Sequence, residues 1–140
     1  MSGAAPYPPA VWHALARHAE SDPAREVCGF LVRRGSGDLE VVPIPNAAEA
    51  GEARRAFAME PAAQLRVLRR LSLEGGEVVA VYHSHLDAPA VPSEEDLAAV
   101  LCDGDPVWPG VEHVVVAVRG GRAGDIRRYR LAGAAFQQVD

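Results

Sequence analysis

The sequence predicts an α/β protein of mixed α+β character, in which a mixed β-sheet is flanked by helices. Apolar runs rich in β-branched residues occur between segments of helical period. Their order is helix, strand, strand, an extra short strand, helix, strand, helix, strand, strand, which is not the regular βαβ alternation of a parallel sheet. A length of 140 residues, with 49% hydrophobic and 24% charged residues, suits one domain over residues 1–140.

The first third of the chain predicts a helix followed by a β-hairpin. Residues 1–8 are expected to form a loose N-terminal arm. A helix follows over 9–21, because prolines lie at its entrance and its inward residues fall at i, i+3, i+4 and i+7 from Val11. The apolar run 26–34 predicts a strand, and a Gly-Ser-Gly-Asp turn leads to a returning strand over 39–45.

The middle third predicts a second helix and a buried strand. Residues 46–54 have no clear period and predict a loop, and 53–59 predict a short strand. Leucines spaced three apart predict a helix over 61–73, which a Gly-Gly pair ends. The run 77–85 is typical of a buried strand, and after a proline-containing loop Ser93 begins a short helix.

The last third predicts two further strands and no additional domain. Residues 102–110 have the composition of turns, and strands are expected over 112–120 and 125–133 with a Gly-Gly turn between them. No internal repeat or low-complexity linker divides the chain.

Composition excludes several classes of protein. The net charge of −5 argues against binding to nucleic acid or to an anionic membrane surface. Mean hydropathy is −0.03 and no apolar run approaches the about 20 residues that cross a bilayer. The first twenty residues lack a secretory signal, so a cytoplasmic location is expected. Cys28 and Cys102 are expected to be thiols, although a bridge between them stays open.

The most informative motif is a pair of histidines at the end of the buried strand. Because side chains alternate along a strand, His83 and His85 point to the same face and present two imidazoles side by side. Asp96 follows in the first turn of the next helix. Two histidines and one carboxylate make a three-ligand zinc site whose fourth position stays open, which is typical of catalytic zinc.

Simpler interpretations of the same residues exist. Either histidine could be an inert hydrogen-bonded residue at a strand end. Ser93 and Asp96 also form an S-x-x-D sequence ahead of an apolar run, which predicts a capping box at a helix start. Capping and metal binding by Asp96 do not exclude each other.

A zinc hydrolase also needs a base that takes a proton from water and returns it to the leaving amine. Glu26 is a candidate because it lies at the start of the first strand, at the rim of the sheet. Taken alone, the sequence favours Glu26 as an ordinary charged residue before a strand.

The motifs together resemble the JAMM (MPN-plus) family of zinc isopeptidases. The stretches E-x-C-G-F-L-V, V-Y-H-S-H and P-S-x-x-D match that family over roughly residues 9–131. The resemblance implies a cytidine-deaminase-like JAMM/MPN core with one Zn²⁺ and a bound water per chain. It implies that the zinc is held by His83, His85 and Asp96. Glu26 is then the general acid/base, and Ser93 donates a hydrogen bond to the oxyanion.

One position departs from the family pattern, and one alternative zinc motif is absent. Many members have proline after the second histidine, where this chain has Leu86, which affects the shape of the loop and not a ligand. No H-E-x-x-H sequence occurs, so a thermolysin-type zinc arrangement is excluded.

The resemblance is strongest to short prokaryotic members, which act on ubiquitin-like proteins. It implies cleavage after the C-terminal Gly-Gly of a ubiquitin-like sulfur-carrier protein, with cysteine or a lysine side chain as the leaving amine. The tail of this protein is the expected partner, and a homodimer is left open because dimers occur among relatives. The segment 46–59 is the candidate flap or strand-pairing edge for the tail.

Other functions remain as alternatives. A non-catalytic MPN-type scaffold that binds a protein partner is one, and a peptidase for cell-wall or phage-tail substrates is another. A cysteine hydrolase built on Cys28, His83 and Asp96 is conceivable, but Cys28 lies within an apolar strand. Ser84 lacks the G-x-S-x-G elbow of a nucleophile.

The remaining histidines and an arginine-rich strand are expected to carry no chemistry. None of these histidines has ligand spacing, and they are expected to be structural or surface residues: His13, His18 and His113. The arginines of the last predicted strand are expected to be solvated: Arg127, Arg128 and Arg130.

Overall fold

The computed structural model describes residues 7–139, which form three helices and eight strands. The elements in chain order are α1 (Pro9–Glu20), β1 (Cys28–Arg33), β2 (Leu39–Ile44), α2 (Pro61–Glu74), β3 (Glu77–Leu86), α3 (Glu94–Ala99), β4 (Leu101–Cys102), β5 (Asp105–Pro106), β6 (Glu112–Arg119), β7 (Arg122–Ala132) and β8 (Ala135–Val139).

Six of the strands form one mixed sheet in the order β2-β1-β3-β6-β7-β8. Within residues 7–139, β3 and β6 are the one parallel pair, and the remaining neighbours run antiparallel. A parallel pair needs a long crossover, which here contains α3 and the small β4–β5 hairpin. The carboxyl end of β3, at the start of this crossover, is therefore central in the sheet and followed by a helix.

Helices cover both faces of the sheet. Helix α1 packs Leu15 into a cluster with Tyr82 and Val116 on one face. Helix α2 packs Leu71 against a cluster that includes Phe30 on the other face. Both helices begin with proline at the first turn, where the missing N–H leaves no hydrogen bond unmade. The mixed sheet flanked by helices confirms the predicted fold class.

The glycine of the E-x-C-G motif allows β1 to approach its neighbours closely. A Cβ on Gly29 would lie 2.5 Å from the Tyr82 hydroxyl and 2.5 Å from the Val42 carbonyl oxygen. Tyr82 is fully buried on β3, so no larger side chain fits at this position without displacing the strand. This packing places the start of β1 directly beside the histidines of β3.

Three details differ from the sequence-based prediction. Residues 53–59 do not form a strand, and their β-type pairing is limited to a bridge between Asn46 and Met59. Strand β8 and the β4–β5 hairpin were not predicted. Most of the arm predicted over 1–8 lies outside the described residues, but Tyr7 is buried and is not loose.

Arg128 is a further correction. It was expected to be solvated, but it is 4% exposed and donates hydrogen bonds to Glu112 at 2.8 Å. Burying the guanidinium requires a paired anion, and Glu112 supplies it. No helix in residues 7–139 combines the length and the apolar character needed to span a bilayer.

Candidate metal centre

The two histidines occupy the carboxyl end of β3 and face the α2 side of the sheet. Val81, two residues earlier on the strand, belongs to the core cluster beneath α2. His83 and His85 continue that face, and both are 6% exposed. Ser84 points the other way, and its hydroxyl accepts a hydrogen bond from the Val27 N–H at 2.8 Å. Strand alternation thus separates the two imidazoles from the serine between them.

Asp96 reaches the same place because of how α3 begins. The Ser93 hydroxyl accepts from the Asp96 N–H at 3.1 Å, and the Asp96 carboxylate accepts from the Ser93 N–H at 2.8 Å. These two bonds form the capping box that the S-x-x-D sequence predicts. The capping box holds the Asp96 carboxylate, which is 4% exposed, against the end of β3.

Three ligand atoms converge at this point. The Asp96 Oδ2 atom lies 3.0 Å from His83 Nε2 and 2.9 Å from His85 Nε2. The two Nε2 atoms are 3.1 Å apart. Lone pairs on atoms this close repel one another unless the atoms share a proton or a cation. Tetrahedral zinc ligands at about 2.1 Å from the metal lie about 3.4 Å from one another, so this donor set could hold a metal ion.

The His85 ring is oriented by the loop that follows it. His85 Nδ1 lies 2.8 Å from the Pro89 carbonyl oxygen, which accepts only from a protonated Nδ1. With Nδ1 protonated, the neutral His85 ring has its lone pair on Nε2, the atom that lies 2.9 Å from Asp96 Oδ2. Metal-binding histidines commonly have such a carbonyl partner.

The His83 ring is covered by the segment 46–59. The Phe57 ring stacks on it with centroids 4.5 Å apart and an interplanar angle of 21°. Phe57 is half-buried and lies outside any helix or strand. It therefore shields one side of the candidate metal centre from water.

Protonation of the three groups follows from their burial and contacts. Burial lowers the pKa of His83, which favours the neutral imidazole that binds metals. Burial also lowers that of His85, but its hydrogen bonds to Asp96 and Pro89 outweigh this and raise its pKa. Burial raises the pKa of Asp96, yet contacts with both histidines outweigh this and hold its pKa well below its usual range. The carboxylate is thus ionised.

Glu26 lies two residues before β1 and is 3% exposed. Burial raises its pKa to about 8, while the neighbouring His85 opposes the rise. Its Oε1 atom has no hydrogen-bond partner among residues 7–139. A buried carboxyl group with a free oxygen and a pKa near neutral has the properties of a general acid/base.

The two cysteines and the two histidines of α1 are residues for which the sequence predicts no catalytic role. Burial and the nearby Glu26 charge raise the pKa of the Cys28 thiol to about 12, so it is not an activated nucleophile. Cys28 and Cys102 are both free thiols. His18 Nδ1 contacts the Tyr82 hydroxyl at 2.6 Å, and His13 is exposed.

Sequence reasoning did not find Phe57 or Asn46 as neighbours of the site. Both lie in a segment without periodicity, so no pattern marks them. The Pro89 carbonyl could have been anticipated, because a metal-binding histidine needs a second partner and the following loop is the nearest source. The sequence assigned Glu26, His83, His85, Ser93 and Asp96 to one site, and the structure brings the two histidines, Asp96 and Ser93 into contact.

The chain matches a family described as prokaryotic homologues of the JAB domain over residues 8–132. A desampylase of Haloferax volcanii is 31% identical over 106 residues, which cover 73% of this chain and 69% of that protein. A desampylase of Pyrococcus furiosus is 34% identical over 90 residues, covering 64% of this chain and 59% of the relative.

A third relative has a name that indicates a conjugate as its substrate. It is a probable TtuB-protein conjugate cleaving protease of Thermus thermophilus, 39% identical over 57 residues. That match covers 41% of this chain and 37% of the relative. Two of these relatives are thus named desampylase, and the third is named as a probable conjugate cleaving protease.

Solved structures share the fold. A protein of Desulfitobacterium hafniense gives a TM-score of 0.72 at 21% identity, covering 92% of this chain and 85% of the other. A protein of Salinibacter ruber gives 0.65 at 28% identity, with coverage of 95% and 87%. A JAB1/MPN domain protein of Archaeoglobus fulgidus gives 0.56 at 19% identity, with coverage of 93% and 88%. With the family match over residues 8–132, the chain belongs to the prokaryotic homologues of the JAB domain and is a JAMM-type hydrolase.

Proposed function

We propose that this protein is a zinc-dependent isopeptidase that hydrolyses the amide bond after the C-terminal Gly-Gly of a ubiquitin-like sulfur-carrier protein. The observation that carries the proposal is the convergence of two imidazoles and one carboxylate, together with a buried glutamate, Glu26, that interacts electrostatically with His85 and Asp96. This donor set matches catalytic zinc sites with three protein ligands and an open fourth position.

Each residue has a role that its surroundings support. His83, His85 and Asp96 would hold the zinc, which when bound acts as a Lewis acid and makes water a better nucleophile. Glu26 would take the proton from the attacking water and pass it to the leaving amine. Its raised pKa suits both steps, because the group must be ionised in one and protonated in the other.

Ser93 would stabilise the negative charge that develops on the scissile carbonyl oxygen. Its oxygen already accepts from the Asp96 N–H, which orients the hydroxyl and leaves its hydrogen available to donate. A fixed donor where charge develops is worth several kcal/mol in related hydrolytic sites, about 3 kcal/mol for one donor.

The substrate class is inferred from the relatives and from the site. Two relatives are named desampylase and a third is named for TtuB–protein conjugates, so a small protein joined through its C-terminus is the proposed substrate. The segment 46–59 borders the site through Phe57 and is proposed as the flap beside which the tail lies. Glycines suit such a crowded position because they carry no side chain.

Metal content tests the first half of the proposal. Protein purified without added metal and analysed by elemental mass spectrometry should contain about one zinc per chain, the number expected for a single three-ligand site. His83→Ala should lose it, and His13→Ala, at an exposed histidine, should keep it. A folded wild-type protein without zinc, even after zinc is offered, would instead favour a non-catalytic scaffold.

Cleavage assays test the second half. The substrates are a Gly-Gly-ended sulfur carrier extended by cysteine and the same carrier joined to a lysine side chain. Glu26→Gln should retain zinc and lose turnover by about two to four orders of magnitude, the usual contribution of a general acid/base. Glu77→Gln, the same change at an exposed glutamate at the opposite end of β3, is the control. Wild-type turnover by Glu26→Gln would show that another group is the base.

A further inference from the structure

Asn46, the chain's single asparagine, uses its whole side-chain amide to join two parts of the protein. Its Nδ2 group donates to the Glu26 carbonyl oxygen at 2.9 Å and to the Ala56 carbonyl oxygen at 3.1 Å. Its Oδ1 atom accepts from the N–H groups of Ala48 and Ala58, each at 3.0 Å. An amide has two donor hydrogens and two acceptor lone pairs, so all four are satisfied.

The main chain of Glu26 is tied to the same segment from both sides. Its carbonyl oxygen accepts from Asn46, and its N–H donates to the Ala53 carbonyl oxygen at 2.6 Å. Arg25 adds hydrogen bonds from its guanidinium to the main-chain oxygens of Asn46 and Ala48. The proposed acid/base is therefore anchored to the segment 46–59 and not only to β1.

The other end of this connection is Phe57. Its two neighbours in the chain, Ala56 and Ala58, are both bonded to the Asn46 side chain. The ring between them stacks on His83. One amide thus fixes the main chain of Glu26 and the aromatic ring that covers a metal ligand.

We propose that Asn46 is a positioning residue for hydrolysis, which holds the Glu26 carboxyl group in reach of the attacked carbonyl and keeps Phe57 over His83. The inference rests on the proposed function, because it concerns the placement of the proposed acid/base, Glu26. It assigns Asn46 no contact with substrate. Its contribution acts through the placement of Glu26. A displacement of about 1 Å in a reacting group is enough to cost about 100-fold in rate.

Two substitutions of Asn46 distinguish the role of its donor hydrogens from the role of its acceptor oxygen. In Asn46→Asp the oxygens can still accept from Ala48 and Ala58, but nothing donates to the carbonyl oxygens of Glu26 and Ala56. In Asn46→Ala all four bonds are lost. The matched control is Gln64→Ala, which removes an amide that donates to the Met59 carbonyl oxygen at 3.1 Å and does not touch Glu26.

Steady-state kinetics on the carrier conjugate, with zinc content and melting temperature measured on the same samples, test the role. For Asn46→Asp and Asn46→Ala we expect kcat to fall about 100-fold, with a smaller change in KM, while zinc stays bound. Gln64→Ala should keep wild-type kcat. Wild-type kcat in Asn46→Asp would overturn the inference, as would a loss fully accounted for by lost zinc or by unfolding.

Hydrogen exchange of the zinc-free protein gives a readout that does not depend on activity. In Asn46→Ala the amides of Glu26, Ala48 and Ala58 should lose protection, whereas Asn46→Asp should keep protection at Ala48 and Ala58. Unchanged protection at Glu26 in both variants would contradict the coupling. If the wild-type protein cleaves no conjugate, the proposed function fails, and the exchange data still decide whether Asn46 orders Glu26.

Discussion

His113 is a buried imidazole that costs stability in acid. It lies on β6, is 5% exposed and packs edge-on against Phe136. Its Nε2 atom has no hydrogen-bond partner among residues 7–139. Burial, followed by the nearby His83, lowers its pKa to about 4. The folded protein therefore resists protonation that the unfolded chain, at a pKa of about 6.5, accepts readily.

The sign of this effect gives the first prediction. Because the unfolded state binds the proton first, stability falls as pH drops from about 6.5 towards 4. Between pH 7.5 and pH 5 His113 alone should cost the wild-type protein about 2 kcal/mol. Chemical denaturation of wild type and His113→Leu at both pH values measures this. The loss on acidification should be smaller in His113→Leu by that amount, and His13→Ala should match wild type. Equal losses in all three would show that His113 is not responsible.

At the residue scale, strand alternation and helix capping made the convergence of His83, His85 and Asp96 predictable. His83 and His85 share a face because they are two apart on a strand, and Asp96 follows from an S-x-x-D start. The prediction that Arg128 is solvated was wrong, because its partner, Glu112, lies 16 residues away on another strand. Only the register of β6 and β7 brings the two residues together.

Helix α3 is a short element whose ordering depends on its N-cap residue, Ser93. It has six residues, fewer than an isolated helix needs, so its capping box and tertiary contacts must hold it. The same Ser93 that caps it is the proposed oxyanion donor. A change at Ser93 should therefore affect the stability of α3, the placement of Asp96 and the reaction together.

Ser93→Ala tests this combination. Loss of the cap should lower the free energy of unfolding by about 1 kcal/mol. Because Asp96 then loses the bond from its N–H to Ser93, zinc should also bind more weakly, which competition with a chelator measures. Ser93→Thr restores a hydroxyl and should recover both quantities. If Ser93→Ala loses turnover with unchanged stability and zinc affinity, the cap does not contribute to the metal centre.

At the element scale, long periodic segments were predictable and short or exposed ones were not. Helix α2 has regular leucines, a proline at its start and Gly75 in the left-handed conformation at its end. Strand β8 is largely exposed at the edge of the sheet, and β4 and β5 have two residues each, so none has a clear apolar pattern. The segment 53–59 has apolar residues, but side-chain bonds from Asn46 hold it as a loop.

At the scale of the whole molecule, a buried group of side chains joins Tyr7 to strands β6 and β7. We call Tyr7, Glu112 and Arg128 the N-terminal clasp. The Tyr7 hydroxyl donates to Glu112, Arg128 pairs with the same carboxylate, and the guanidinium lies 4.7 Å from the centre of the Tyr7 ring. Glu112 faces Ala80 in register, towards the opposite end of β3 from His85. The clasp should therefore affect stability and leave turnover unchanged.

The clasp gives the last prediction, because Glu112→Gln removes the buried negative charge that pairs with Arg128. Glu112→Gln should lower the free energy of unfolding by about 3 kcal/mol at pH 7. Glu77→Gln, whose partner Arg33 is exposed and 3.7 Å away, should lower it by less than about 1 kcal/mol. The double variant Glu112→Leu with Arg128→Met should recover most of the loss, since no unpaired charge remains.

The pH dependence of Glu112→Gln adds a second measurement of the clasp. Burial disfavours the ionised Glu112, but hydrogen bonds from Arg128 and Tyr7 outweigh it and lower its pKa. A lowered pKa contributes stability above the unfolded value of about 4.5, and this is lost as pH falls through the folded value. The difference between wild type and Glu112→Gln in chemical denaturation should thus be constant near pH 7 and shrink below about pH 4.5. A difference that persists unchanged in acid would mean that shape, and not charge, holds the N-terminal residues in place.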